Sequence, residues 1–219
     1  FKLTAAHVNH QIRTESSNKD QLAAENIAAS LGVEFTSTTI NVPQIASERK
    51  ISIESAARQE RYKVLAQIVE STNSIGVATG HTRNDQAETV LLHAMRGAGL
   101  QGISGMRHRS VLRLPEVGII LTVLRPMLDT PRNEGVEYCE QVGITPVIDE
   151  SNSSRDYKRN QIRLDVLPLL DDVTPGSSGA LARLAENAAD DLEIIDWVVS
   201  KNLEEERTGD DLYSRSSVL

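Results

Sequence analysis

The sequence predicts an α/β protein, a doubly wound parallel sheet followed by a helical connector. Three observations lead there. Short apolar runs alternate with longer segments whose apolar residues recur at helical spacing, the pattern of parallel strands with crossover helices. The run from Ile75 to Ala78 passes through Gly80-His81 into an amphipathic segment that opens with Asp85 and Glu88, so strand, glycine turn and helix start follow one another. Beyond Pro175-Gly176-Ser177-Ser178-Gly179 only one long helical pattern remains. The expected division is a sheet domain over 1–174, then a linker and acidic connector helix over 175–219.

Each element has its own signal. Leu3 to Val8 is a short apolar strand ending in His7-Val8-Asn9-His10, and Asp20 to Leu31 is helical with Gly32 as its C-cap glycine. Val33 to Ile40 alternates and is rich in Thr, Val and Phe, so it reads as a strand. Residues 41–51, with Pro43, read as a loop. Ser52 caps a helix to about Glu70, with Ala57, Arg61, Val64, Leu65 and Ile68 at helical spacing. Ile75 to Thr79 is the next strand and Asp85 to Arg96 the next helix. Gly97 to Gly105, with glycines at 97, 99, 102 and 105, reads as a substrate loop. Val111–Leu114 and Gly118–Leu124 form a hairpin around Pro115-Glu116-Val117. Thr130-Pro131 starts a helix with proline first, running to about Val142. Ile144 to Ile148 is a last strand, Asp156 to Leu170 a helix, and Ala180 to about Glu206 the acidic helix.

Composition narrows the function classes. At 219 residues, 39% hydrophobic and 25% charged, the chain has room for one domain with a core and an appendage. No apolar run approaches the roughly 20 residues that span a bilayer, and no basic-then-apolar leader opens the chain. Cytoplasm is the expected location. The single cysteine, Cys139, excludes an internal disulfide framework or a Cys-x-x-Cys site within this sequence. Net charge is −8, but 12 acidic and only 3 basic residues fall within 171–211. From Thr89 to Pro115 there are four arginines (Arg96, Arg107, Arg109, Arg113), two histidines and no acid. Local fields of that kind, not net charge, decide where a polyanion docks.

The richest stretch is Gly80-His81-Thr82-Arg83-Asn84-Asp85-Gln86-Ala87-Glu88-Thr89. A helix start offers free N–H groups and a positive dipole end to phosphate. Asp85 and Glu88, three apart, share one face and can hold a metal or an ammonium group; they equally read as an N-cap and capping box that needs no ligand. Arg155, Arg159 and Arg163 stand four apart as one basic ridge, with Lys158 nearby, able to track RNA phosphates or to pair with the acidic C-terminal helix. Leu181, Leu184, Ala188 and Leu192 form the stripe of a packing helix.

The Gly-His-Thr-x-Asn-Asp-Gln-Ala-Glu-Thr order resembles the second motif of the PP-loop, or N-type ATP pyrophosphatase, family. Ala5-Ala6-His7-Val8-Asn9-His10 with Arg13, Glu54-Ser55-Ala56-Ala57-Arg58-Gln59-Glu60-Arg61-Tyr62, and Arg96-Gly97-Ala98-Gly99-Leu100-Gln101-Gly102-Ile103-Ser104-Gly105-Met106 are similar to segments of its tRNA(Ile)-lysidine synthetases. So are Asp149-Glu150-Ser151-Asn152, Arg159-Asn160-Gln161-Ile162-Arg163 and Leu167-Pro168. The resemblance covers roughly residues 3–200.

It implies a ligase that uses ATP with Mg²⁺ to adenylate the C2 oxygen of the wobble cytidine in a CAU-anticodon isoleucine tRNA. The amine of L-lysine then displaces AMP. It implies His81 and Arg61 toward the ATP phosphates and the reacting base, and Asp85 and Glu88 toward lysine or, for Asp85, the metal. Arg159, Arg163 and Arg96 would serve the substrates, and His7, His10 and Gly80 the nucleotide. Asn84 stands where the family motif commonly has aspartate. The family's Ser-Gly-Gly-x-Asp-Ser loop, which cradles pyrophosphate on the first strand, does not occur in residues 1–219. The expectation is therefore a sheet lacking its first strand and nucleotide loop, in a truncated chain that does not turn over ATP alone. Two other readings stand beside this one. A related PP-loop tRNA thiolase would call on cysteines beyond Cys139; a degenerate, non-catalytic RNA-binding module would have no use for the retained His81, Asp85, Glu88, Arg61 and Arg159.

Overall fold

The computed structural model describes residues 2–146, 154–155 and 157–208. In chain order the first elements are β1 (Thr4–Asn9), α1 (Thr14–Ser30), β2 (Glu34–Thr39), α2 (Val42–Arg49), α3 (Ile53–Ser71), β3 (Val77–Ala78) and α4 (Arg83–Ala94). They are followed by α5 (Leu100–Ile103), β4 (Arg109–Leu114), β5 (Ile119–Leu124), α6 (Arg132–Gln141), α7 (Lys158–Gln161), a π-helical turn (Ile162–Val166), α8 (Leu167–Val173) and α9 (Ser177–Thr208). The chain divides into two compact units, 1–81 with 108–154 and 82–107 with 155–219.

In the first unit β1 and β2 pair in parallel, from Thr4 opposite Glu34 to Asn9 opposite Thr39. α1 closes as its sequence predicts. Gly32 takes a left-handed φ of 64°, its N–H bonds Ala29 O, and the Val33 N–H reaches Ala28 O, a Schellman ending. The helix starts six residues before the expected Asp20. Buried Asn9 accounts for this: its amide donates to Ser17 O, Asn18 Oδ1 and Gln21 Oε1 at 3.0–3.3 Å, tying the early turns of α1 to the end of β1.

Residues 41–51 are not a loop. Asn41 caps α2 by accepting the Gln44 N–H at 3.2 Å, Pro43 sits in the first turn where no N–H is needed, and Lys50 ends the helix at φ 54°. Val42 and Ala46 of α2 then pack on Ala56 and Ala57 of α3. Ser52 caps α3 as expected, accepting the Ser55 N–H at 3.1 Å.

The second sheet of this unit has the order β3-β5-β4, with β3 parallel and β4 antiparallel to β5. Tyr62, Leu65 and Ala66 of α3 pack on Leu121 and Val123 of β5 as its core. The parallel pairings of an α/β fold are thus present. The single doubly wound sheet is not seen among the described residues: no backbone ladder joins β1 to β3, and the 109–124 hairpin adds an antiparallel strand. β3 is also shorter than the expected 75–79. At Gly76 the backbone comes so close to β5 that an added Cβ would lie 2.6 Å from Thr122 O, and Ile75 is exposed. Pro131 is the N-cap of α6, not its first helical residue. Residues 144–146 are not a strand, and the rest of that expected strand, with Asp149-Glu150-Ser151-Asn152, lies outside the described residues.

The second unit is helical. α9 packs along α4, α5 and α8, which is why the compact units do not divide at 174/175. Ser177 already belongs to α9. Ala87 of α4 packs with Ile162 and Leu167, and Leu91, Leu92 and Leu181 close around them. The π turn is closed by Leu167 N–H to Ile162 O. Pro168 has no N–H to return to Leu164, and a wider turn accommodates its ring. Among the described residues no helix is long and apolar enough to cross a membrane.

Candidate functional site

In the second unit, the start of α4 and the helical stretch from Lys158 bring together two carboxylates and two guanidiniums. The helix start carries a capping box, but not the expected one: Thr82, not Asp85, is the N-cap, and Asp85, not Glu88, is the third helical residue that closes it. Asp85 Oδ2 accepts the Thr82 N–H at 2.8 Å and its hydroxyl at 2.7 Å. Three residues on, Glu88 is fully buried. Arg159 Nε donates to Glu88 Oε2 at 2.6 Å; Arg163 donates from Nε to Oε1 at 2.7 Å and from Nη2 to Oε2 at 3.1 Å. The second Asp85 oxygen, Oδ1, is held more loosely, 3.3 Å from Arg159 Nη2 and 3.5 Å from Arg163 Nη2.

The four charges cancel. Three short charge-assisted bonds offset the cost of burying Glu88. Burial disfavours the charged Arg163, but the hydrogen bond and charge of Glu88, with Asp85 behind it, prevail and raise its pKa. The spacing correctly puts Arg159 and Arg163 on one face, yet that face turns inward onto carboxylates. Arg155 is not part of the ridge: it precedes α7 and pairs with Asp165 through three contacts of 2.9–3.2 Å. Arg96 lies exposed beyond the end of α4, apart from the quartet.

The first unit carries a second polar group at the end of β1. Arg61 Nε donates to His10 Nε2 at 3.4 Å, so the ring proton of His10 is on Nδ1, a buried atom with no hydrogen-bond partner. Burial, then Arg61, then His7 push the His10 pKa down to about 4. His7 is lowered as well, by burial, against an opposing pull from Asp20. Arg58 lies 5.2 Å over the Tyr62 ring, and no carboxylate among the described residues pairs with it or with Arg61. His81 Nδ1 meets the Thr79 hydroxyl at 2.8 Å, a side-chain partner where a backbone one is the ordinary alternative. At Gly80 an added Cβ would meet nothing within 4 Å, so protein packing does not demand a glycine there.

These donors fit a nucleotide. The orphaned Nδ1–H of neutral His10 needs an acceptor, and Arg58 and Arg61 are exposed with no carboxylate partner among the described residues. A metal at Asp85 does not fit the arrangement as it stands. Oδ2 is spent on the cap and Oδ1 faces two guanidiniums, and among the described residues no three His, Cys, Asp or Glu side chains converge. An NMR titration checks the first group: His10 is expected to stay neutral down to about pH 5. Because its folded pKa lies below the unfolded value, its contribution to stability is complete above pH 6.5 and is lost as pH falls toward 4. A midpoint near 6.5 would contradict the burial and the Arg61 contact.

Reading the residues alone missed Thr82, Asn9 and Thr79. Thr82 was legible, since Thr-x-x-Asp before an apolar run is a capping box. The other two act through contacts with no local signal.

A family model described as a PP-loop domain matches residues 1–170. The chain is 37% identical over 202 residues to a tRNA(Ile)-lysidine synthase of Dehalococcoides mccartyi, covering 92% of this chain and 42% of that protein. It is 39% identical over 172 residues to the Clostridioides difficile protein of that name (78% and 35% covered) and 33% identical over 219 residues to the Parabacteroides distasonis one (100% and 48%). The chain therefore spans less than half the length of these relatives. A solved structure, the U34-tRNA thiolase NcsA from Methanococcus maripaludis with its 4Fe-4S cluster, is similar in fold: TM-score 0.62, 18% identity, 85% of this chain and 62% of that one covered.

Proposed function

The chain belongs to the PP-loop domain family, and on that premise we propose that it is part of the catalytic region of a tRNA(Ile)-lysidine synthetase. The observation that carries this reading is the similarity to synthases of that name along nearly the whole chain. The proposed reaction uses ATP to adenylate the C2 oxygen of the wobble cytidine of CAU-anticodon tRNA(Ile), breaking the bond between the α- and β-phosphates and releasing pyrophosphate. L-Lysine then displaces AMP.

The two polar groups have different tasks in this proposal. At the end of β1, His10 gives its Nδ1–H to an acceptor on the nucleotide, and Arg61 supplies positive charge for the phosphates. Gly80 lets the ATP phosphates approach the main chain, and His81, steadied by Thr79, donates toward the phosphoryl oxygens as charge develops. A magnesium ion carried on the ATP phosphates would neutralise their charge; no residue of the quartet is assigned to hold it. In the second unit lysine is met by the quartet: its α-ammonium goes to Asp85, its carboxylate to Arg159 and Arg163, Glu88 fixes the angle of both arginines, and the ε-amine is left free to react. Arg96 is assigned to RNA phosphate.

Arg159→Ala is the test of this arrangement. In the full-length enzyme, KM for lysine or tRNA is expected to rise at least tenfold while KM for ATP stays within twofold; unchanged values for both would remove Arg159 from the site. The 219 residues alone are expected not to hydrolyse ATP, since no Ser-Gly-Gly-x-Asp-Ser loop occurs in them.

A thiolase reading draws only on the fold likeness to NcsA. Cys139 is the sole cysteine of the 219 residues and sits half-buried on α6. Thermal protection of the full-length protein by ATP with lysine, and not by ATP with a sulfur donor, separates the two activities.

A further inference from the structure

The glycine-rich stretch after α4 was expected to be an irregular substrate loop, but two side chains of α4 pin it. Gln86 is buried, and its amide bonds the main chain of Met106 in both directions: Nε2 donates to Met106 O and Oε1 accepts the Met106 N–H, each at 2.8 Å. Seven residues on, on the same face of α4, His93 Nδ1 donates to Gly102 O at 2.6 Å, and the His93 carbonyl accepts the Ala98 N–H. Between these latches the chain forms the single turn α5.

The glycines record how closely the latches hold. Gly105 has φ 60°, and a Cβ there would come within 2.7 Å of Gln86 Oε1. At Gly102 a Cβ would stand 2.4 Å from Ala98 Cβ. Gly99 is different: its φ is −73° and an added Cβ meets nothing within 4 Å, so its backbone is presented with open space above it. Arg96 is exposed at the near end, while Arg107 at the far end is paired with Glu193 of α9, so Arg96 is the cation the ledge offers. A fixed ledge of open backbone beside a cation suits a nucleic acid strand, which needs close approach and positive charge.

We infer that Gln86 and His93 are positioning residues that hold residues 97–106 as a preset ledge for the tRNA substrate. The inference rests on the lysidine synthetase reading, which supplies the tRNA. Gln86 directly follows Asp85 on α4, so one helix start sets both the carboxylate proposed to meet the lysine ammonium and the ledge. Holding the ledge in advance removes an ordering cost when RNA binds.

The test uses Gln86→Met, which keeps length and loses both bonds, and Gln86→Glu, which keeps the acceptor for Met106 N–H and loses the donor. Both are made in the full-length enzyme. Hydrogen exchange at the Met106 amide is expected to speed up at least tenfold in Gln86→Met. In the same variant kcat/KM for tRNA is expected to fall about 10- to 100-fold, with KM for ATP within twofold. Gln86→Glu should keep the Met106 amide protected and recover part of the tRNA term. An opened Met106 amide with unchanged kcat/KM for tRNA would overturn the inference, as would a uniform loss for all substrates tracking the drop in Tm. A wild-type enzyme that transfers no lysine to tRNA would instead overturn the function on which the inference depends.

Discussion

Replacing Glu88 by glutamine is expected to cost the folded protein about 3 kcal/mol, seen as a Tm lower by roughly 6–12 °C. Glu88 is fully buried, and both of its oxygens accept from Arg159 and Arg163 at 2.6–3.1 Å. Glutamine fits the same space but removes the fully buried negative charge that faces two guanidiniums. It also turns an N–H₂ group toward an N–H donor. Asp85 cannot take over, because its nearer oxygen stands 3.3–3.5 Å from the arginines and its other oxygen caps α4. Replacing Glu88, Arg159 and Arg163 together by apolar residues of similar volume is expected to restore most of the stability and none of the lysine transfer. A Tm for Glu88→Gln within 2 °C of wild type would show that the quartet is not what holds this helix start to the segment from Lys158.

That pairing marks the limit of what the residues alone disclose. Spacing correctly places Asp85 with Glu88, and Arg159 with Arg163, since three- and four-residue intervals share a helix face whatever the helix packs against. It does not say that the two faces meet, because the partners stand 71 and 75 residues apart in sequence. The same division runs through the fold. Ser52 capping α3, Gly32 closing α1 and the 109–124 hairpin have local causes and are all legible. The early start of α1 depends on Asn9 reaching across from β1, and the short β3 on Gly76 lying against Thr122. Neither has a local signature. The helix over 42–49 is a different failure: Asn41 and Pro43 are ordinary start signals, outweighed there by reading proline as a loop marker. At the glycine stretch, composition predicts freedom and the structure shows the reverse. Gly105 is glycine because its backbone is held at φ 60°, with the Gln86 amide close beside it, not because the segment is loose.

Asp85→Asn in the full-length enzyme is expected to lower kcat/KM for lysine by about 100-fold, the loss of one charged hydrogen bond, while Tm changes by less than about 3 °C. The two carboxylates of α4 differ in what remains available. Glu88 has no exposed surface and its bonds are short. Asp85 keeps 14% of its side chain exposed, and the contacts of Oδ1 to Arg159 and Arg163 are long, 3.3 and 3.5 Å. An arriving ammonium group can therefore displace a guanidinium from Asp85 at little cost, whereas at Glu88 it would have to break three short bonds. Displacement also frees Nη2 of the arginines to meet the carboxylate of the same lysine, so one exchange of partners satisfies both charged groups on its α-carbon and leaves the ε-amine free to react. Asparagine keeps an oxygen for the Thr82 N–H and so preserves the cap, which isolates the charge from the fold. Alanine loses both, and is expected to add about 1 kcal/mol of destabilisation to the same kinetic loss. Normal lysine kinetics in Asp85→Asn would move amine recognition away from this helix start and leave the quartet a structural feature alone.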